Sequence, residues 1–226
     1  MFLKWILVYL LMMLTGNPLL VLLLFLLFYG ALDWRYFGFF PRFTRWFRRG
    51  FEIRDLERKI SLNPNDAPAR VALGRAYYLN GEASRAIPQL QAAFQKMKDT
   101  PEVHYYLGLS YLETGKENDG VERLLETIRI DPRFQYGEPY LKLGEYYLRI
   151  RDFEKALERL ERFCTIHTSS SEGFYQLAMA QLALGDRENA AKNLKKSIEA
   201  YRISPSYKKQ IDRKWRWKAV RSLATL

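Results

Sequence analysis

The chain is poor in the side chains that do chemistry. It has one cysteine, Cys164, so no internal disulfide can form and no cysteine pair can hold zinc. Its two histidines, His104 and His167, stand far apart in the sequence. Neither H-E-x-x-H nor G-x-x-x-x-G-K-[S/T] occurs. These absences lead to the expectation of a non-enzyme, with no cofactor, no metal and no small-molecule substrate. His104 falls on a helix as a packing or partly exposed residue. His167 lies at a helix end, where a cation is mildly favoured by the dipole. Cys164 has no His or Lys beside it to lower its pKa, so an inert buried thiol is expected.

Acidic charge is scarce at both ends. The net charge is +11. Residues 1–50 hold six Lys/Arg against one Asp, and residues 202–226 hold eight against one. Residues 51–201 hold 22 against 23, so the body is neutral. A nucleic-acid binder needs a basic face on its folded body. No nucleic-acid partner is expected.

All charge is missing from Trp5 to Leu32, an unbroken run dominated by Leu. About 20 apolar residues suffice to cross a membrane. The run is too long for the apolar core of a cleaved signal peptide. Residues 1–33 therefore read as an uncleaved membrane anchor. Thr15-Gly16-Asn17-Pro18 interrupts it. One geometry is a single crossing helix kinked near Pro18. The other is a hairpin of two half-spans, Phe2–Leu14 and Leu19–Leu32. The single crossing is the expectation, because irregular backbone is costly in lipid.

Residues 34–50 interleave aromatics with arginines, among them Trp34, Arg35, Arg42, Arg45, Trp46, Arg48 and Arg49. Rings at headgroup level and cations near anionic lipid suit a membrane interface. The alternative is a helix that merely starts the next domain. The arginine excess on this side predicts that the rest of the chain is cytoplasmic.

The remainder of the chain repeats itself. Leu73-Gly74-x-x-Tyr77 recurs as Leu107-Gly108-x-x-Tyr111 and Leu143-Gly144-x-x-Tyr147, with a weaker copy at Leu177-Ala178-x-x-Gln181. The spacing is near-constant, with two extra positions before the third copy. Thirteen residues after each Leu comes Ala86, Gly120, Ala156 or Ala190, and seventeen after comes Leu90, Leu124, Leu160 or Leu194. Local signals place two helices in each unit. Asp66 caps and Pro68 opens a first helix, Gly81 turns, and a second helix starts near Ala83 early enough to tolerate Pro88. Later turns fall at Gly115, Arg151-Asp152 and Gly185. The extra residues lie in Arg133–Tyr136.

This pattern resembles the tetratricopeptide repeat family. The resemblance implies a superhelical solenoid over 51–204, so that with the apolar anchor the chain is expected to be all-α, an N-terminal transmembrane helix followed by that solenoid. That solenoid has a half-unit at 51–64 and units at 67–100, 101–136, 137–170 and 171–204. A basic helix at 205–226 caps it, with Tyr207, Ile211, Trp215, Ala219 and Leu223 as its apolar stripe. Its other faces are a solvated surface, or a surface for anionic lipid or an acidic partner.

The resemblance also implies a concave groove lined by the first helix of each unit. Counting two before, two after and five after the signature Leu gives Val71, Arg75 and Tyr78, then Tyr105, Leu109 and Leu112. The later units give Leu141, Glu145 and Leu148, then Tyr175, Met179 and Leu182. Such an apolar, aromatic wall suits an extended or helical peptide. Alternatively, several of these residues pack on the last helix. The family's carboxylate-clamp groove uses Lys and Asn where this chain has Val71 and Arg75, which argues against that ligand class.

The expected function is a membrane-anchored scaffold, or adaptor, that holds a protein or peptide partner. The rival is an assembly factor or regulator of another membrane protein, with Gly16, Asn17 and Pro18 in the interface.

Overall fold

The computed structural model describes Met13, residues 16–17, 19–24, Leu27 and residues 39–226, with side chains at 39–49 excepted. It divides into two units, Met1–Leu62 and Asn63–Leu226.

In the first unit Gly16 adopts a left-handed φ of 60°. The Asn17 side chain accepts a hydrogen bond from the Leu19 N–H at 3.0 Å, and its carbonyl accepts from the Val21 N–H at 3.3 Å. This is how a helix begins: Asn caps the free N–H groups of the first turn. Asn17 thus caps a helical segment that begins at Leu19, while Pro18 lies outside the described residues. Among the described residues no helix is long and apolar enough to cross a membrane. Most of the expected anchor, together with Trp34 and Arg35, lies outside the described residues, as do the side chains of Arg42, Arg45, Trp46, Arg48 and Arg49.

Helix α1 (Phe39–Leu62) runs unbroken through residue 50. The expected interfacial segment and the half-unit therefore share one helix from Phe39 onward. Pro41 falls in its first turn, where no N–H bond is lost.

The second unit is built of helix pairs: α2 (Ala67–Leu79) with α3 (Ala83–Phe94), α4 (Pro101–Glu113) with α5 (Glu117–Ile130), α6 (Glu138–Arg149) with α7 (Phe153–Ile166), and α8 (Ser171–Ala183) with α9 (Arg187–Ile203). Helix α10 (Ser206–Ala224) packs on α8 and α9. Each pair closes on the repeated residues. Ala86, Leu90, Leu124, Ala156, Leu160, Ala190 and Leu194 are fully buried. A Cβ on Gly108 would stand 3.0 Å from both the Gly120 carbonyl oxygen and Leu124 Cγ, so α4 and α5 meet backbone to backbone.

The pairs turn in one way. In each, the residue five after the signature Tyr or Gln donates its N–H back to that residue's carbonyl: Glu82 to Tyr77, Lys116 to Tyr111, Asp152 to Tyr147 and Asp186 to Gln181, at 2.9–3.0 Å. Such an end needs a left-handed residue. Gly81, Gly115 and Gly185 supply it, whereas Arg151 takes φ 63° without the glycine's freedom. Pro88 is the sixth residue of α3, beyond the four free N–H groups, so the reason expected for its tolerance does not apply. The carbonyl that would accept from its missing N–H belongs to Ser84, an exposed residue.

Candidate partner groove on the first helices

The first helices α2, α4, α6 and α8 carry the expected groove residues, but only some of them present a surface. Val71, Tyr105, Leu109 and Leu141 are buried, Tyr105 to 4% exposure. The ring of Phe134 covers Tyr105 at 5.3 Å, and Tyr106 crosses it at 5.1 Å. Phe134 belongs to the extra residues before the third copy, a short turn (Phe134–Gly137) in which Gln135, Tyr136 and Gly137 are all left-handed. The insertion folds inward over α4 instead of forming a plain linker. Tyr175 and Met179 are half-buried. Tyr175 lies 5.5 Å from the Trp215 ring of α10. Met179 and Leu182 pack on the cluster of Ala178, Ala190, Leu194 and Ala219. Leu148 is half-buried on α6.

The middle stays open. A recess of about 220 Å³ is lined by Tyr78, Leu109, Leu112, Glu113, Lys142, Glu145, Tyr146 and Arg149. Tyr78, Leu109, Leu112 and Glu145 are among the expected groove residues. Glu113, Lys142, Tyr146 and Arg149 are not, because a count from the signature Leu skips them. Burial and the neighbouring Glu113 push the Tyr78 hydroxyl up to about 12, so it stays protonated and able to donate.

The charges along this wall are matched laterally. Arg75 on α2 pairs with Glu102 on α4 at 3.2 Å. On α6, Lys142 stands 3.0 Å from Glu145 and 3.6 Å from Glu138. Burial lowers the Lys142 pKa, but the carboxylates of Glu145 and Glu138 outweigh it and hold the ammonium charged. Glu172 on α8 hydrogen-bonds Glu145. Burial together with that neighbour pushes its carboxyl up to about 7, against the opposing pull of Lys142 and of Lys214 on α10. Three carboxylates thus surround the Lys142 ammonium across two repeats.

A larger depression, about 710 Å³, lies in the last two pairs. It is lined by Cys164, Phe174, Leu177 and Ala200 among others. Burial pushes the Cys164 thiol up to about 12, so it remains an unreactive thiol near neutrality. His104 is buried and its Nε2 donates to the Lys98 carbonyl at 2.6 Å, a packing arrangement. Among the described residues no group of three His, Cys, Asp or Glu could hold a metal ion.

The expected apolar stripe of α10 is only partly buried. Trp215 and Ala219 face inward with Asp212, whereas Tyr207 and Ile211 face out. Residues spaced by four drift about 40° per step on a helix of 3.6 residues per turn. Five such residues wrap nearly half the circumference and cannot share one contact.

Models of the tetratricopeptide repeat match residues 71–132 and 171–203. The BBSome complex member BBS4 homolog of Drosophila melanogaster is 25% identical over 159 residues, 66% of this chain and 33% of that protein. The DnaJ homolog subfamily C member 7 homolog of Schizosaccharomyces pombe is 25% identical over 154 residues, 62% of this chain and 32% of that protein. The chain therefore spans about a third of the length of these relatives. Among solved structures, MamA superposes with a TM-score of 0.61 at 24% identity, over 66% of this chain and 85% of that one. YrrB, a TPR protein described with an unusual peptide-binding site, has a TM-score of 0.56 at 15% identity, over 73% and 84%. At these identities the likeness establishes the fold: an all-helical repeat solenoid of the tetratricopeptide kind.

Proposed function

We propose that this chain is a non-catalytic scaffold that holds a protein or peptide segment against α2, α4 and α6, and that residues 1–33 tether it to a membrane with the repeats on the cytoplasmic side. The observation that carries the binding role is the open recess between Tyr78, Leu112 and Tyr146, set among side chains whose charges are already matched. It offers an apolar floor with polar edges, the composition of a peptide groove. The peptide-binding site described for YrrB belongs to a protein of the same fold and adds support. The uncharged run from Trp5 to Leu32 supports the tether.

The test is a peptide selected from a random library against the full chain. Tyr78→Ala with Leu112→Ser is expected to weaken its binding tenfold or more, as loss of an aromatic anchor does, at about 1.4 kcal/mol per factor of ten. Unchanged affinity in a folded double variant would sink the groove reading. Protease digestion of sealed vesicles of known sidedness tests the orientation separately.

A second reading rests on the capped break at Gly16-Asn17. Backbone that leaves the helix inside lipid is tolerated where protein covers it. This favours a membrane-protein partner for the N-terminal segment, with the chain acting in its assembly or regulation. Replacing residues 1–40 with an unrelated anchor separates the readings: a pure tether survives the exchange, and an intramembrane partner is lost.

A further inference from the structure

We propose that the outward face of α10 is a docking surface for anionic phospholipid. The helix carries seven cations between Lys208 and Arg221. Arg213, Lys214, Lys218 and Arg221 are exposed. Elsewhere in the second unit several cations pair with carboxylates, such as Arg129 with Glu126 and Lys192 with Glu188. On α10 no cation has a carboxylate of the described residues within ion-pair distance; Lys214 feels Glu172 of α8 only from farther off. The helix's one acid, Asp212, is buried and accepts from the Ser204 hydroxyl at 3.3 Å, so it neutralises nothing at the surface. Lys208 and Lys209 stand in the first turn, which holds no acid and where the helix dipole opposes a cation. Lys214 and Lys218, one turn apart, repel each other. Lys214 and Lys218 lie over the Trp215 ring at 4.5 and 4.7 Å and Arg216 over Tyr201 at 5.3 Å, so aromatic faces meet these cations but no carboxylate neutralises them.

The same face is apolar between its cations. Tyr207 is 77% exposed, Ile211 63% and Trp217 64%. Capping of the solenoid consumes Trp215 and Ala219 and leaves these three at the surface. Phosphates alone would recruit the cations, but a nucleic-acid backbone has no use for an exposed isoleucine. The headgroup and upper acyl region of a membrane takes both, with rings and aliphatics at the boundary and cations at the phosphates. The matching surface is an anionic lipid leaflet.

The experiment uses the full chain in a Cys164→Ala background with an environment-sensitive dye on Gln210→Cys. This position is exposed on α10. A dye on Ser84→Cys, exposed on α3, is the control. The protein meets vesicles of phosphatidylcholine alone, or of phosphatidylcholine with phosphatidylglycerol, each doped with a shallow quencher lipid. The α10 dye is expected to be quenched only with the anionic lipid, and to recover at high salt. Arg213→Gln with Arg221→Gln should weaken this response about 25-fold, at about fivefold per cation. Trp217→Ser, with every charge kept, should weaken it too, and helicity by circular dichroism checks that both variants fold. Equal quenching in neutral and anionic vesicles overturns the proposal. So does a dye that responds to a DNA duplex and not to anionic vesicles. Flotation with the neutral vesicles reads the N-terminal tether independently, so failure of one leaves the other standing.

Discussion

The first helix of unit three and the last helix of the chain handle charge in opposite ways. On α6, Lys142 lies between Glu138 and Glu145 and near Glu172, and its charge is consumed inside the fold. On α10, Arg213, Lys214, Lys218 and Arg221 are exposed and have no ion-pair partner among the described residues. Half-buried charges must be matched within the chain, because desolvation without a partner is costly. Exposed charges can wait for a partner, because water solvates them cheaply. The contrast separates charge that holds repeats in register from charge available for recognition.

That contrast can be broken from the inside. Leu160 backs α6, since a Cβ on Gly144 would meet its Cγ at 2.5 Å. Leu160→Ala should cost about 2–5 kcal/mol in chemical denaturation, the largest effect expected. Lys142→Ala removes the ammonium and leaves three carboxylates facing one another. The loss should be about 2 kcal/mol, below that of a fully buried pair, and it should grow with pH as Glu172 ionises.

Glu172 gives the pH dependence its direction. Its carboxyl stands near 7 in the fold against an ordinary 4.5, so folding favours the protonated form. The contribution to stability is fully present below about 4.5 and is lost as pH rises through about 7. Glu172→Gln should therefore be more stable than the parent at pH 8 by about 1–2 kcal/mol, and flatten the profile between about pH 5 and 8. Urea melts across that range decide it; an unchanged slope means that Lys142 and Lys214 already compensate both carboxylates. The smallest effect is expected on α10. Arg213→Glu relieves repulsion with Lys209 one turn earlier and should raise stability by about 0.3–0.5 kcal/mol, a shift that vanishes in high salt.

Much of the second unit was legible because its signals are local. A Leu-Gly-x-x-Tyr segment, a left-handed turn residue and a small residue thirteen positions on each act within one helix pair. The groove was less legible. Tyr105 has the right register for an inner wall, but whether it meets solvent depends on Phe134, beyond the end of α5. Lys142 carried no motif; Glu145 and Glu138 on its own helix hold it charged, and only its smaller interaction with Glu172 crosses to the neighbouring repeat. The residues of α10 were visible, yet the side that packs is the one where Trp215 meets Tyr175 and Ala219 joins the cluster of Ala178, Ala190 and Leu194.

By itself the amino-acid sequence determined the helical pairs, their boundaries, the neutral body and the basic last helix. Those follow from periodicity, capping and composition, which neighbouring residues settle among themselves. Only the tertiary structure decided which groove positions remain open, which carboxylates share a cation, and which side of α10 faces out. These depend on contacts between residues tens of positions apart, where a small rotation of a helix or a short insertion exchanges a buried side chain for an exposed one.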